Sequence, residues 1–147
     1  MRKWFGKLLV ISLILLSAMI CGGVTAFAEG DFVIDDEGYL TQYTGNDEVV
    51  VIPHTVKAIG DDAFARNEAI VEVIIPDGVE VIGLGAFSGC TNLEKVKMSD
   101  SVTRMWEWAF SDCHSLKSIR LSENLESIEQ RTFEYCTSLE EIVIPGS

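Results

Sequence analysis

A repeat of 23 residues runs through the chain from about residue 49, and this period constrains the fold more than any other feature. A phenylalanine recurs at this spacing, each time after a small residue and three residues before a cysteine or asparagine, at Phe64, Phe87, Phe110 and Phe133. Other apolar residues recur at the same spacing, for example Leu93, Leu116 and Leu139. We call each such set of equivalent positions a column. Such columns predict a solenoid whose successive turns, here called rungs, stack and merge their apolar residues into one core.

Each repeat also contains one segment in which apolar and polar residues alternate. In the segment 93–98, Val96 and Met98 alternate with lysines, which is the period of two expected for a short strand with one buried face. Strands this short are not stable alone, so those of successive rungs are expected to pair in parallel. The chain then returns over the convex side through a short helical or irregular segment. The predicted fold class is therefore an α/β-type solenoid with one parallel sheet.

The first 28 residues predict a secretory signal peptide that is not part of the fold. Three basic residues lie within the first seven positions, an apolar run follows over 8–21, and small residues at 26–28 precede an expected cleavage between Ala28 and Glu29. An uncleaved membrane anchor is the alternative, but the run is short for a span of about 20 residues. We expect an extracellular protein, secreted or at the cell surface, with no membrane insertion after cleavage.

Residues 29–48 do not follow the period and predict a hairpin-like cap over the first rung. The segments 32–34 and 39–43 have the character of two short strands joined by a turn. The repeats would then fill 49–147 as four to five rungs. After the final strand, Leu139, Ile142 and Ile144 are expected to form an open apolar edge. We interpret this edge as truncation of a longer repeat array, with self-association through it as the alternative.

The charge of the chain excludes two classes of partner. The formal net charge of −12 includes the three basic residues of the signal segment, so residues 29–147 carry −15. Such a body repels phosphate backbones and anionic lipid headgroups, and we expect no nucleic-acid partner. With 48% hydrophobic residues, the chain is also too apolar to be a disordered tail.

Three short motifs recur together along the repeats. They are the Ala86-Phe87 pair, the step from Cys90 to Leu93 and the Ile75-Pro76 step. In these motifs and their spacing, the segment 49–147 resembles the bacterial surface leucine-rich repeat of the BspA type. The resemblance implies a leucine-rich-repeat solenoid with an adhesion-type role at a bacterial cell surface.

Nothing in the sequence predicts catalytic, cofactor-binding or metal-binding residues. The two histidines, His54 and His114, lie in different columns, and no zinc-ligand spacing occurs. Cys90, Cys113 and Cys136 share one column, but their parallel side-chain directions do not favour the torsion of a disulfide. We expect a ladder of buried thiols, no cofactor and no enzymatic activity.

The residues that the period leaves free are the candidates for binding. If Val96 faces the core, its neighbours on the strand face outward. The candidate partner-binding residues are Lys95, Lys97, Arg120, Ile74, Val51, Val143 and Trp108. This mixture of charged and apolar groups suits a protein or glycan partner. Alternatively, it is an ordinary exposed sheet whose lysines pair with glutamates across rungs.

The third repeat contains two tryptophans, Trp106 and Trp108. We expect Trp106 to pack against the preceding rung, whereas Trp108 stays a candidate anchor. The functional hypothesis is a non-catalytic adhesion module that binds a protein or glycan through its sheet face. The alternatives are targeting or spacer repeats of a longer secreted enzyme, or a unit that assembles end to end.

Overall fold

The computed structural model of the protein describes residues 29–146, and the predicted signal peptide lies outside them. A short 3₁₀ helix, Glu29–Asp31, precedes ten strands. In chain order these are β1 (Phe32–Ile34), β2 (Tyr39–Tyr43), β3 (Val49–Val51), β4 (Ala58–Ile59), β5 (Glu72–Ile75), β6 (Val81–Ile82), β7 (Lys95–Met98), β8 (Arg104–Met105), β9 (Ser118–Arg120) and β10 (Glu141–Val143). No α-helix occurs within 29–146, so the return segments take the irregular form.

The strands form two sheets along the solenoid. The main sheet has the order β10-β9-β7-β5-β3, and all its neighbouring strands are parallel. The predicted parallel-sheet solenoid is therefore confirmed. A second sheet, of order β1-β2-β4-β6-β8, is an addition that the repeat pattern did not predict. We call it the short-strand sheet, because β4, β6 and β8 contain two residues each.

The register of both sheets follows the repeat. In the main sheet, Val73 pairs with Val96, and Val96 pairs with Ile119. In the short-strand sheet, Ile82 pairs with Met105. Each step joins residues one period apart, so every apolar column of the sequence becomes a continuous row in the core.

A stack of aromatic rings runs through this core. The ring centroids of Phe64 and Phe87 lie 4.7 Å apart, those of Phe87 and Phe110 5.1 Å, and those of Phe110 and Phe133 5.9 Å. The first three rings are fully buried, and Phe133 is partly buried. The stack joins consecutive rungs through contacts between equivalent side chains.

The hairpin of β1 and β2 continues the stack at the N-terminal end. Strand β1 is antiparallel to β2, whereas β2 is parallel to β4 through the pairing of Leu40 with Ile59. The ring of Tyr43 lies 5.1 Å from that of Phe64, and Phe32 lies 4.8 Å from Tyr43. Strand β2 thus takes the place of a repeat strand, and β1 pairs along its outer side.

The return loops contain a repeated backbone feature. Each loop has two positions with left-handed φ angles, and each of these positions recurs 23 residues later in the next loop. The first column is Asp62, Gly85, Trp108 and Arg131, and the second is Arg66, Gly89, Asp112 and Tyr135, with φ between 54° and 74°. The backbone of the loops therefore repeats even where the side chains do not.

Candidate functional site

The outward surface of the main sheet consists of two rows of side chains, which we call the main-sheet face. One row is Val49, Glu72, Lys95, Ser118 and Glu141, and each of these residues pairs with the next. The other row is Val51, Ile74, Lys97, Arg120 and Val143. The structure therefore brings six of the seven candidate residues onto one surface.

The apolar part of the main-sheet face lies mainly on β3 and β5. Val49 is exposed there, and Val51 and Ile74 are half-buried. Val143 is exposed on β10, at the other edge of the sheet. The alternation on the strands explains this placement, because the neighbouring Val50, Val73 and Val96 point into the core.

Two of the three candidate bases are held in ion pairs. Lys97 Nζ lies 2.6 Å from Glu72 Oε1, and the Glu72 side chain is only 19% exposed. Arg120 donates from Nη1 to Asp100 Oδ1 at 2.9 Å and from Nη2 to Glu123 Oε1 at 2.8 Å. The Arg120 guanidinium beside Asp100 also holds the pKa of that carboxyl below its ordinary value. The alternative of acid–base pairs across rungs is thus present in the structure.

Lys95 differs from the other two bases. It is exposed, and it forms no ion pair with any residue of the segment 29–146. Its neighbours in the same row are Glu72, already paired with Lys97, and Ser118. Lys95 therefore carries the uncompensated positive charge of the main-sheet face.

The seventh candidate, Trp108, lies outside the main sheet. It follows β8 in a return loop and is half-buried, and its φ of 55° lies in the left-handed region, as at the equivalent position of the other loops. The Arg131 guanidinium lies 5.7 Å from the centre of its ring, within the range of a cation–π contact. The structure does not place Trp108 with Lys95, Lys97 and Arg120. The nearby Trp106 is about half exposed, so the packing expected for it covers only part of the side chain.

The cysteine column forms the expected ladder of thiols without disulfides. Each thiol donates a hydrogen bond to the carbonyl of the phenylalanine in the preceding rung, from Cys90 to Phe64 at 3.2 Å, from Cys113 to Phe87 at 3.3 Å and from Cys136 to Phe110 at 3.0 Å. Burial raises the pKa of Cys90 to about 12. The neighbouring Cys136 thiol, together with burial, raises the pKa of Cys113, and the neighbouring Cys113 thiol lowers the pKa of Cys136.

This ladder predicts an order of thiol reactivity. At pH 8 we expect iodoacetamide to modify Cys136 first, because it is only half-buried, while Cys90 reacts at about the rate of global unfolding. Peptide mass spectrometry of the full chain over a time course resolves each site and separates them from Cys21. Dilute urea should accelerate Cys90 most. Equal rates for Cys90 and Cys136 in native buffer would contradict the ladder.

Within residues 29–146, no cluster of three or more His, Cys, Asp or Glu side chains could hold a metal ion. No helix in this segment has the length and apolar character needed to cross a membrane. His114 Nδ1 lies 2.8 Å from the Tyr135 carbonyl oxygen, which gives that ring a local structural contact.

Comparison with known proteins identifies the repeats. The profile of the BspA type leucine-rich repeat region matches residues 39–147 in six copies. A search of curated proteins gave no significant match. Among solved structures, the chain is similar to a leucine-rich repeat protein from Bacteroides capillosus, with 29% identity, a TM-score of 0.69, and coverage of 78% of this chain and 93% of that one.

Two further structures place the fold among bacterial proteins. A leucine-rich cell surface protein from Faecalibacterium prausnitzii has 26% identity and a TM-score of 0.63, and the match covers 84% of this chain but 43% of that one. A leucine-rich repeat protein from T. pallidum shares the fold at 23% identity and a TM-score of 0.65, over 80% of this chain and 71% of that one. Because the family profile covers most of its length, the chain belongs to the family with the BspA type leucine-rich repeat region.

Proposed function

We propose that the protein is a non-catalytic interaction module at a bacterial cell surface, which binds a protein partner through the main-sheet face. The observation that carries the proposal is the position of Lys95. Its uncompensated charge lies on a sheet in which Val49 of β3 is exposed and Ile74 of the adjacent β5 is half-buried, in a molecule that is otherwise strongly acidic. Mixed apolar and charged surfaces of this kind suit protein interfaces.

The proposed location rests on two observations. The segment 1–28 has the pattern of a secretory signal, and one similar structure is described as a cell surface protein. Export would place the main-sheet face in contact with proteins and glycans outside the cell. A protein is the favoured partner, because the exposed apolar residues of the face are aliphatic and the tryptophans lie elsewhere.

The proposal can be tested with two substitutions that replace no residue of the ion pairs. The double variant Lys95→Glu, Ile74→Asp reverses the charge and removes the apolar contact, and we expect it to weaken binding about tenfold or more. The measurement is surface plasmon resonance of the full chain against a panel of purified extracellular proteins, with a glycan array run in parallel. Urea unfolding of each variant verifies that it remains folded.

Lys57→Glu is the control for the charge reversal at Lys95. Lys57 is exposed beside β4 of the short-strand sheet, outside the main-sheet face, and the change in charge is equal to that of Lys95→Glu. We expect this control to bind as the wild type does. A partner that binds both variants with wild-type affinity would refute the role of the main-sheet face, and binding confined to glycans would refute the choice of partner.

A further inference from the structure

Three aromatic side chains are exposed within residues 29–146, and two of them belong to the short-strand sheet or adjoin it. Tyr39 is 39% exposed, Trp106 is 48% exposed, and Tyr135 is 63% exposed. Tyr39 begins β2, and Trp106 directly follows β8. Tyr135 lies in a return loop of the last rung. Aromatic side chains that stay in water leave a large apolar area available for contact with a ligand.

The register brings Tyr39 and Trp106 to the same side of the short-strand sheet. Tyr39 pairs with Ala58, and the row continues through Val81 to Arg104. This row points outward, because the next residue of each strand is buried in the core. Trp106 comes two residues after Arg104 and is exposed, so it lies on the outward side as well.

The ring of Tyr39 reaches the column of Trp106. A Cβ atom at Gly60 would lie 2.7 Å from Cε1 and 3.1 Å from Cζ of Tyr39, so the tyrosine ring covers that glycine. Gly60, Gly83 and Trp106 stand one period apart in the sequence. Because paired strands are about 4.8 Å apart, the ring over Gly60 and the backbone of Trp106 are separated by two rungs, or about 10 Å.

A carboxylate lies between these two aromatic side chains. Asp61 is exposed, and its Oδ1 accepts a hydrogen bond from the backbone nitrogen of Leu84 at 2.8 Å. The same oxygen would lie 2.7 Å from a Cβ atom at Gly83, which is the glycine between Gly60 and Trp106 in the column. The hydrogen bond therefore holds the carboxylate over residue 83. Along the solenoid, the surface presents an aromatic ring, a carboxylate and a second aromatic side chain.

We propose that Tyr39, Asp61 and Trp106, which we call the outer aromatic site, bind a linear neutral polysaccharide that lies along the solenoid axis. Aromatic rings accept the apolar C–H faces of pyranose sugars, and carboxylates accept hydrogen bonds from their hydroxyl groups. In an extended β-1,4-linked chain, alternate sugar units present the same face and lie about two rungs apart. One unit stacks on Tyr39, the next donates a hydrogen bond to Asp61, and the third stacks on Trp106.

The charge of the molecule favours a neutral glycan over an acidic one. Residues 29–147 carry −15, and Asp61 forms no ion pair within residues 29–146. Arg104, the base of the outward row, lies 3.6 Å from Glu126 Oε2, so its charge is compensated. Uronic acids and sulfated sugars would therefore be repelled. A protein partner is disfavoured, because the carboxylate interrupts the continuous apolar centre that a protein interface has.

The test measures binding of soluble oligosaccharides to the full chain by isothermal titration calorimetry. The probes are β-1,4-linked oligomers of glucose, xylose, mannose and N-acetylglucosamine, each from the disaccharide to the hexasaccharide. We expect saturable binding in at least one series. Trisaccharides and longer oligomers should bind about tenfold or more tightly than the disaccharide, because three units are needed to reach both aromatic side chains.

Three variants of the outer aromatic site separate the contributions of its members. Trp106→Ala should weaken binding of the trisaccharide about tenfold or more, because one of the two stacking surfaces is lost. Asp61→Asn retains an oxygen that can accept from Leu84 but removes the charge, and it should weaken binding by a smaller factor. Tyr39→Phe keeps the ring and should bind as the wild type does.

Tyr135→Ala is the matched control, because it removes an aromatic side chain that is more exposed than Trp106 but lies outside the outer aromatic site. It should bind the trisaccharide as the wild type does. The double variant Lys95→Glu, Ile74→Asp should also keep wild-type affinity for the trisaccharide, so the result is independent of the main-sheet face. Urea unfolding verifies that each variant is folded.

Four outcomes would overturn the proposal. They are no binding of any neutral oligomer at millimolar concentration, equal affinity for the disaccharide and the longer oligomers, equal weakening by Trp106→Ala and Tyr135→Ala, and tighter binding of an acidic glycan such as oligogalacturonate. The comparison of oligomer lengths uses only the wild-type chain, so it decides the matter even where a substitution prevents folding.

Discussion

Replacing Phe87 with alanine is expected to lower the free energy of unfolding by about 3–5 kcal/mol. Phe87 is 0% exposed, and its ring lies 4.7 Å from that of Phe64 and 5.1 Å from that of Phe110. The substitution removes ring contacts on both sides and leaves a cavity between two rungs. Because each rung of a solenoid is stabilised mainly by its neighbours, the loss also weakens the coupling between the two halves of the stack. Urea unfolding followed by circular dichroism measures the change.

Tyr135→Ala is the control for this effect. Tyr135 is an aromatic residue of the last rung, but it is 63% exposed, so its loss should change stability by no more than about 0.5 kcal/mol. Phe133→Ala should fall between the two, since Phe133 is only partly buried and contacts one ring of the stack, that of Phe110. Equal losses for Phe87→Ala and Tyr135→Ala would mean that the stack does not stabilise the fold.

Gly83→Ala is expected to produce the second largest effect, a loss of about 1–3 kcal/mol through overpacking. A Cβ atom at residue 83 would lie 2.6 Å from the backbone carbonyl carbon of Gly60 and 2.7 Å from the backbone nitrogen of Asp61. Backbone atoms cannot rotate away as a side chain can, so the rungs would have to move apart locally. The free energy of unfolding and the melting temperature should both fall.

Gly30→Ala provides the comparison, because nothing lies within 4 Å of a Cβ atom at that position. We expect its stability to stay close to that of the wild type. The prediction fails if Gly83→Ala is as stable as Gly30→Ala. The comparison also separates crowding between rungs from the general effect of changing glycine to alanine on the unfolded chain.

The sequence allowed the main sheet and most of the core to be predicted. Its period aligns the columns of Phe87, Leu93 and Val96 without reference to the structure, and the register keeps that alignment. The short-strand sheet could not be found in this way. A strand such as Val81–Ile82 has two residues, which is too few for alternation to be recognised.

The N-terminal hairpin shows a second limit of predicting structure from the repeat period. Tyr43 joins the aromatic stack and Leu40 joins the core, yet they precede Phe64 and Ile59 by fewer residues than one period. A fixed period therefore misses them.

The main-sheet face was predicted residue by residue, but its ion pairs were not assigned. Arg120 pairs with Asp100, which is less than one period away and lies in a turn outside the strands.

The left-handed positions of the return loops hold side chains of very different kinds. Six of them hold residues other than glycine, including Trp108 and Tyr135, although each such residue costs about 1–2 kcal/mol relative to an ordinary conformation. The stacked core is stable enough to bear this cost in several rungs at once. Mutation can therefore change the charge, size and aromatic character of the loop surface without altering the path of the backbone, and one scaffold can present a different pattern of side chains on every rung.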